Sequence, residues 1–180
     1  QHEYKYEYQV EAQFTYDFRS AGAAGHAYDP IIASGANACT LHYGKNQDAL
    51  RKQTLLLIDV GARVNGYAAD ITRTYSIGNP TKRQSAVHDA VRSAQQKIIA
   101  LLEPGLAIGE YQQKVDGIMK QSLLDLKLIE SLTDEDGYRR YFPHAISHGL
   151  GIDVHDALGR PRAFQTGMVL TVEPGIYIPE

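Results

Sequence analysis

The stretch TLLLIDVGA-RVNGY-AADITRTYSI, residues 54–77, decides the fold of this chain. Apolar runs rich in leucine and β-branched residues lie on either side of Asn65-Gly66. Asn-Gly favours a type I′ turn, because both central residues of that turn adopt positive φ, which these two residues tolerate best. The stretch therefore predicts an antiparallel hairpin in which Val64 pairs with Tyr67.

The register of this hairpin places two carboxylates on one face. Continuing the pairing outward sets Gly61 opposite Asp70 and Asp59 opposite Thr72. Because side chains alternate faces along a strand, these four residues share a face. Asp59 and Asp70 become diagonal neighbours with backbones roughly 7–8 Å apart. The prediction holds for a hairpin without a bulge, since a bulge would change the parity.

Two ionised carboxylates that converge on an apolar sheet repel each other and lose hydration. A divalent cation between them removes both penalties, and Gly61 on the same face leaves room for one. The alternative is that one aspartate caps a turn and the other pairs with Arg63 or Arg73.

A second cluster is FPHAISHGLGIDVHD, residues 142–156, which contains His144, His148 and His155. Its glycines let the backbone approach a ligand closely. Neutral imidazole binds metal ions and also titrates near neutral pH, so the segment predicts metal coordination or proton transfer. A lone histidine would more often be structural, but three in one glycine-punctuated segment favour a site.

The segment TVEPG, residues 171–175, places Glu173 inside an apolar run, where an unpaired carboxylate is unfavourable. Pro174 lacks an N–H group and interrupts a strand ladder beside it, so the carboxylate can point into a site. A bond from Glu173 to a nearby arginine is the alternative.

Asp59, Asp70, His148 and Glu173 together form a hard, mixed oxygen and nitrogen ligand set. Such a set suits Mn²⁺, Fe²⁺, Co²⁺ or Zn²⁺ better than a thiolate site does. Carboxylates can also bridge two ions about 3.5–4 Å apart, which is the arrangement of two-metal hydrolases.

The rest of the chain supplies helices and further strands. The apolar periodicity and the punctuating Pro, Gly and capping residues predict helices over 3–19, 81–103 and 108–128, a loop or short helix over 130–140, and strands over 141–147 and 168–178. Strands, then helices, then strands indicate an α+β fold with a mainly antiparallel sheet.

Bulk properties limit the partners. The net charge of −3 gives no reason to expect a nucleic acid or an anionic membrane surface, and no apolar run is long enough to cross a bilayer. The single cysteine, Cys39, excludes an internal disulfide and fits a reducing compartment. With no signal pattern at the N-terminus, we expect a cytoplasmic protein.

DVG-x8-D, SHGLG-x3-HD and TVEPG, in this order, resemble the motifs of the pita-bread metallopeptidases, which include aminopeptidase P, prolidase, methionine aminopeptidase and creatinase. NACTLHY at 37–43 and GYAADITRT at 66–74 look most like the proline-specific branch, aminopeptidase P and prolidase. The resemblance covers nearly the whole chain. It implies the pita-bread fold, a mainly antiparallel sheet covered by helices.

The resemblance also implies roles for the candidate residues. Asp59 and Asp70 would bind one metal ion, with Asp70 bridging to a second ion. His148 and Glu173 would belong to the ligands of that second ion, and Glu173 would also shuttle the proton of the attacking hydroxide.

Three more histidines match histidines of the family that position the substrate and stabilise the developing oxyanion: His42, His144 and His155. The implied reaction is hydrolysis of an N-terminal Xaa-Pro bond with two divalent ions, usually Mn²⁺, with Co²⁺, Zn²⁺ or Fe²⁺ as alternatives. The partners are then peptides with proline at the second position.

One departure from the family concerns its fifth ligand, a bridging glutamate on a strand well after the EPG segment. We do not expect Glu180 to take that role. The N-terminal domain of the proline-specific members is also absent, so we interpret 1–180 as a partial, C-terminally truncated catalytic domain. Its activity on its own stays open, as does homo-oligomerisation through an exposed sheet edge. A dipeptide-specific prolidase and an inactive peptide-binding module are the alternative functions.

Overall fold

The computed structural model describes residues 4–179, which form two compact units. The first unit consists of the described residues through Gln84, with Leu150–Asp156 and Pro179; the second consists of Ser85–Gly149 and Ala157–Ile178. Residues 1–3 and Glu180, which we do not expect to be the fifth metal ligand, lie outside the described residues. No helix within 4–179 has the length and apolarity of a membrane span.

The first unit contains α1, six short strands and one 3-10 helix. These are α1 Glu7–Ser20, β1 Gly25–His26, β2 Ile31–Ser34, the 3-10 helix Gly35–Cys39, β3 Leu55–Val60, β4 Ala62–Val64, β5 Tyr67–Ala68 and β6 Ile71–Ser76. The strands form two antiparallel sheets, ordered β1-β4-β5 and β2-β3-β6. The predicted α+β class with a mainly antiparallel sheet is confirmed.

Helix α1 begins later than its periodicity predicts. Tyr6 has an extended backbone, with φ of −137°, and bridges to Ala49. The side-chain oxygen of Gln9 accepts hydrogen bonds from the backbone N–H groups of Lys5 and Tyr6, which caps the helix at this point. The helix packs its apolar face on the β2-β3-β6 sheet through Val10, Phe14, Phe18, Ile32, Leu56, Ile58 and Val60.

The central hairpin has the predicted register. Val64 pairs with Tyr67 at the tip, and Asp59 pairs with Thr72 further out. The residue numbers of both pairs sum to the same value, so the chain between them contains no bulge. At the turn, Asn65 and Gly66 have φ of 52° and 88°, as a type I′ turn requires.

Gly61 interrupts this hairpin between β3 and β4, and the sequence interpretation of it is wrong. A Cβ atom at Gly61 would lie 1.7 Å from the carbonyl oxygen of Ala69 and 2.9 Å from the ring of Tyr28. The residue therefore leaves no open space for an ion on its Cβ side. Glycine is needed because the opposite backbone passes too close for any side chain.

Helices dominate the rest of the chain. They are α2 Lys82–Ile99, α3 Ile108–Asp125 and α4 Glu135–Tyr141. The predicted capping box at the start of α2 is present, with Thr81 and Gln84 exchanging side-chain to backbone hydrogen bonds of 2.8 and 3.2 Å. The core of the second unit is built on Ile98, Tyr111, Val115, Met119, Leu123, Phe142 and Phe164.

The two strands predicted near the C-terminus do not form as regular strands. The runs lie antiparallel, with an isolated bridge between Gly149 and Leu170 and one-way bonds from Thr171 N to His148 O and from Glu173 N to Ile146 O, each 3.0 Å. The return bond is lost because His148 N donates to the Thr171 side chain instead, at 3.0 Å. Prolines in both runs also lack the N–H group that a ladder needs.

Candidate active site

The two hairpin carboxylates meet at one tyrosine. The hydroxyl of Tyr28 contacts Oδ1 of Asp59 in a short hydrogen bond and lies 3.1 Å from Oδ1 of Asp70. A hydroxyl has a single proton, so it can serve only one of these oxygens at a time. The predicted convergence of the two aspartates is therefore present.

Electrostatics at the pair favour a bound cation. Burial raises the pKa of Asp59, and the charge of Asp70 raises it further; hydrogen bonds from Tyr28 and Thr72 and the attraction of His42 oppose this. Burial and the two carboxylates also raise the pKa of Tyr28 far above its usual range, so the phenol stays protonated. A divalent ion would compensate charges that the protein otherwise keeps partly out of water.

The arginines considered as partners bond elsewhere. The guanidinium group of Arg63 donates to the carbonyl oxygens of Gly66 and Ile152, at 2.9 and 2.7 Å, and that of Arg73 donates to the carbonyl of Thr72 at 2.7 Å. Arg63 thus ties the tip of the hairpin to the segment that carries His155, and backbone Ala68 N–H to Gly151 O, at 2.8 Å, does the same.

His42 lies on an exposed loop that follows the 3-10 helix. Its backbone is left-handed, with φ of 54°, a conformation that residues other than glycine adopt only when their surroundings hold it. The charge interaction of His42 with Asp59 lowers the pKa of the carboxyl group, which places the imidazole within electrostatic range of it. Its role with substrate stays a prediction.

In the second unit, His148 and Glu173 form the other predicted pair. His148 Nε2 lies 3.2 Å from Glu173 Oε1. The other ring nitrogen, Nδ1, lies 2.9 Å from the carbonyl oxygen of Gly149. The hydroxyl of Thr171 donates to the same Glu173 oxygen at 2.8 Å while accepting from His148 N–H.

This geometry suits a metal ion. A carbonyl oxygen only accepts, so Nδ1 of His148 must carry the proton and, in the neutral ring, Nε2 presents a lone pair towards Glu173. Two acceptors face each other unless a proton or a metal ion lies between them. Adjacent ligands of one ion, each about 2.1 Å from it, lie about 3 Å apart, close to the separation seen here.

The remaining histidines have separate surroundings. His144 donates from Nδ1 to the carbonyl of Ala145 at 2.8 Å, and its Nε2 lies 3.0 Å from the hydroxyl of Tyr177. Gly175 makes room for that tyrosine, because a Cβ atom there would lie 2.8 Å from the ring. His155 is exposed in a turn that Asp156 closes by accepting from Ile152 N–H at 2.9 Å.

The structure thus brings together Asp59 with Asp70, and His148 with Glu173. Within residues 4–179, no group of three or more His, Cys, Asp and Glu side chains stands in an arrangement that could hold an ion, so the complete ligand set stays a prediction.

Sequence reasoning missed Tyr28 and Thr171. Thr171 had a signal, because it lies two residues before Glu173 and shares its face of an extended chain. Tyr28 had none, because it lies in an irregular segment before β2.

Comparison with known proteins identifies the family. The model of metallopeptidase family M24 matches residues 2–180. The chain is 38% identical to an Xaa-Pro aminopeptidase of Haemophilus influenzae over 98% of this chain and 43% of that protein. Zn-substituted Escherichia coli aminopeptidase P, solved in complex with product, has a TM-score of 0.90 and 38% identity over 96% of this chain and 41% of that one. Proline aminopeptidase P II from Yersinia pestis has a TM-score of 0.88 and 42% identity over 96% and 42%.

These matches confirm the resemblance seen in the motifs, and the fold is that of the pita-bread enzymes. The chain spans less than half the length of the relatives it matches. The ordered motifs, the Asp59–Asp70 and His148–Glu173 pairs and the family match agree on one conclusion: the chain belongs to metallopeptidase family M24.

Proposed function

We propose that the protein containing this chain is an Xaa-Pro aminopeptidase that uses divalent metal ions to release the first residue of peptides with proline in second position. The observation that carries the proposal is the pairing of His148 with Glu173. Nε2 of the imidazole and Oε1 of the carboxylate lie 3.2 Å apart there, a separation that two adjacent ligands of one metal ion also have. The names of the similar proteins supply the substrate class.

We assign the metal ligands as the motifs indicate. Asp59 and Asp70 would hold one ion, Asp70 would bridge to a second, and His148 with Glu173 would belong to the ligands of the second. Mn²⁺ is the proposed native ion, with Co²⁺, Zn²⁺ and Fe²⁺ as alternatives that suit the same donors. When bound, such ions lower the pKa of water and polarise the scissile carbonyl.

The side chains divide the remaining work. Glu173 is the proposed proton carrier, taking a proton from the attacking water and returning it to the leaving proline nitrogen. The hydrogen bond from Thr171 engages Oε1 of this carboxylate and fixes its orientation. His42, His144 and His155 would contact the substrate, and the hydrogen bond of His144 to Tyr177 orients that imidazole for the task.

The test uses the full-length protein supplied in turn with Mn²⁺, Co²⁺ and Zn²⁺. We expect release of the first residue from an Ala-Pro-Ala tripeptide and no release from Ala-Ala-Ala, with the release abolished by a chelator. Failure to release alanine from the proline peptide with any of the three ions would overturn the proposal. An enzyme that cleaves the dipeptide Ala-Pro but not the tripeptide would instead be a prolidase.

A further inference from the structure

Glu7, at the start of α1, is the most completely buried carboxylate of the described chain, with an exposed fraction of 0%. Its two oxygens accept from five donors, each of them an uncharged group. Oε1 accepts from Ser34 N–H, the Ser34 hydroxyl and the Asn37 amide at 2.7, 2.8 and 3.2 Å; Oε2 accepts from the Tyr43 hydroxyl and Asp48 N–H, both at 2.9 Å.

These donors enclose His42 in the chain. Asn37 precedes it in the 3-10 helix, Tyr43 follows it directly, and Asp48 ends the loop. Backbone Glu7 N–H also donates to Asp48 O, at 3.0 Å, so the two residues bond each other in both directions. The loop from 40 to 48 contains no helix or strand, and side chains therefore determine its path.

A second anchor holds the same loop. Asn46, only 4% exposed, accepts from Ile32 N–H at 2.9 Å and donates to Pro30 O and to Glu11 Oε2, both at 2.8 Å. Like His42, it has a left-handed backbone, with φ of 47°. Two unfavourable backbone conformations in one loop persist only where surrounding bonds fix them.

We propose that Glu7 is a positioning residue that fixes the loop carrying His42, by clamping Tyr43 and Asp48. This rests on the proposed function, in which His42 contacts the substrate. A carboxylate is needed at position 7, because an amide would turn an N–H group towards donors on one side and break the clamp at either Ser34 or Tyr43. Glu7 has no proposed contact with substrate or metal and acts through the loop.

The first test compares Glu7→Gln and His42→Ala, alone and combined, in the full-length protein with Mn²⁺. Since small misplacements of a positioned group reduce rates strongly, we expect E7Q to lower kcat/KM about 10- to 100-fold. The kcat/KM of the double variant should be no lower than that of H42A alone, because E7Q acts only through His42 and both changes remove the same function. The affinity for Mn²⁺, measured by calorimetry, should stay as in the unchanged protein.

Glu11→Gln is the matched control. It lies one helical turn from Glu7 on α1, and it accepts from a single amide, that of Asn46. Glutamine keeps an acceptor oxygen for that donor, so E11Q should leave kcat/KM unchanged. If E7Q does not fold, Tyr43→Phe replaces it. This variant removes only the Tyr43 hydroxyl, which donates to Glu7 from the residue that follows His42. Y43F should lower kcat/KM less than E7Q is expected to, and again not below H42A in combination.

A second readout is independent of catalysis. The ring C–H resonance of His42, assigned by its loss in H42A, should shift in E7Q or Y43F and stay in place in E11Q. The proposal would be overturned if the reductions of kcat/KM in E7Q and H42A multiplied in the double variant. It would also be overturned if the His42 resonance stayed in place in both E7Q and Y43F. If the unchanged protein releases no residue from Xaa-Pro peptides, the proposed function fails, whereas the resonance still decides whether Glu7 positions His42.

Discussion

Nε2 of His148 lies 3.2 Å from Oε1 of Glu173, while Nδ1 of the same ring faces the carbonyl of Gly149 at 2.9 Å. The carbonyl accepts the proton of Nδ1, so in the neutral ring Nε2 turns its lone pair towards the carboxylate oxygen. Either a proton or a metal ion must therefore lie between the two atoms, and a metal ion accepts both groups as ligands.

Replacing His148 or Glu173 should therefore weaken metal binding. We expect H148A and E173Q each to lower the affinity for Mn²⁺ by at least about tenfold, because H148A removes a ligand and E173Q removes the negative charge of another. Competition with a chromogenic chelator measures this. His88→Ala is the control, since His88 is exposed on α2. Equal affinities in H148A and H88A would contradict the ligand assignment.

Thr171→Val should weaken the same site without removing a ligand. The hydroxyl both donates to Glu173 Oε1 and accepts from His148 N–H, so its loss frees the carboxylate to turn and leaves an N–H group without its acceptor. We expect a loss of Mn²⁺ affinity of about 10- to 100-fold. Thr133→Val, on an exposed loop, should bind Mn²⁺ normally, and the same affinity in both variants would refute the role of Thr171.

Tyr28→Phe tests the aspartate pair, Asp59 and Asp70. The hydroxyl contacts both Asp59 and Asp70, so the variant loses the group that aligns the two carboxylates. We expect Mn²⁺ affinity to fall about 10- to 100-fold, as for other partners that orient ligands. Tyr75→Phe provides the comparison, because Tyr75 is 56% exposed on β6. Isothermal titration calorimetry distinguishes them, and unchanged binding by Y28F would show that Tyr28 does not orient the pair.

Gly61→Ala should destabilise the fold. Its Cβ atom would overlap the carbonyl of Ala69, which is backbone and cannot swing aside. Overpacking of this kind costs about 1–3 kcal/mol or more. Gly117→Ala, inside α3 with open space around it, should instead stabilise by roughly 0.5–1 kcal/mol. Urea unfolding of the two variants should move the midpoint in opposite directions, and a midpoint for G61A at or above that of the unchanged protein would contradict the clash.

His26 should make stability depend on pH. Burial lowers the pKa of its imidazole, although Glu11 and Asp29 act in the opposite direction. The ring bonds Thr15 through Nε2 at 2.8 Å and packs edge-on against Phe18. Its Nδ1 atom is shielded from solvent and has no hydrogen-bond partner among the described residues.

The sign of the effect follows from this shift. As the pH falls through about 6.5, the unfolded chain takes up a proton on this histidine before the folded chain does. Stability is therefore lost on the acid side, down to the lowered pKa of the folded state. His26→Gln should lose less thermal stability between pH 7 and pH 5 than the unchanged protein does. The control, His88→Gln, should lose as much as the unchanged protein. Parallel curves for H26Q and the unchanged protein would contradict the prediction.

The hairpin could be predicted in detail because two simple rules determine it. The conformational freedom of Asn65-Gly66 fixes the turn, and the alternation of side chains then sets every pair out to Asp59 and Thr72. The capping box of Thr81 and Gln84 is equally local. Such features need only neighbouring residues, so the sequence contains them in full.

Features that depend on distant contacts could not be predicted. Tyr28 reaches Asp59 from an irregular segment, and no periodicity indicates that meeting. From the sequence, Gly61 looked like open space. In the structure the hairpin passes from one sheet to the other at this point, and the Ala69 carbonyl lies against Gly61. The runs with Ile146 and Glu173 have strand-like composition, but a threonine side chain takes one bond of the ladder.

The number of residues in the hairpin also determines whether Asp59 and Asp70 face the same side. Asp59 and Asp70 lie on one side only because the chain between them closes at Asn65-Gly66 with no residue left over. One extra residue in either arm would force a bulge or turn one aspartate away. One extra residue in each arm would merely lengthen the tip. An insertion of one residue in each arm should therefore preserve the Asp59–Asp70 pair, whereas an insertion of one residue in a single arm should disrupt it.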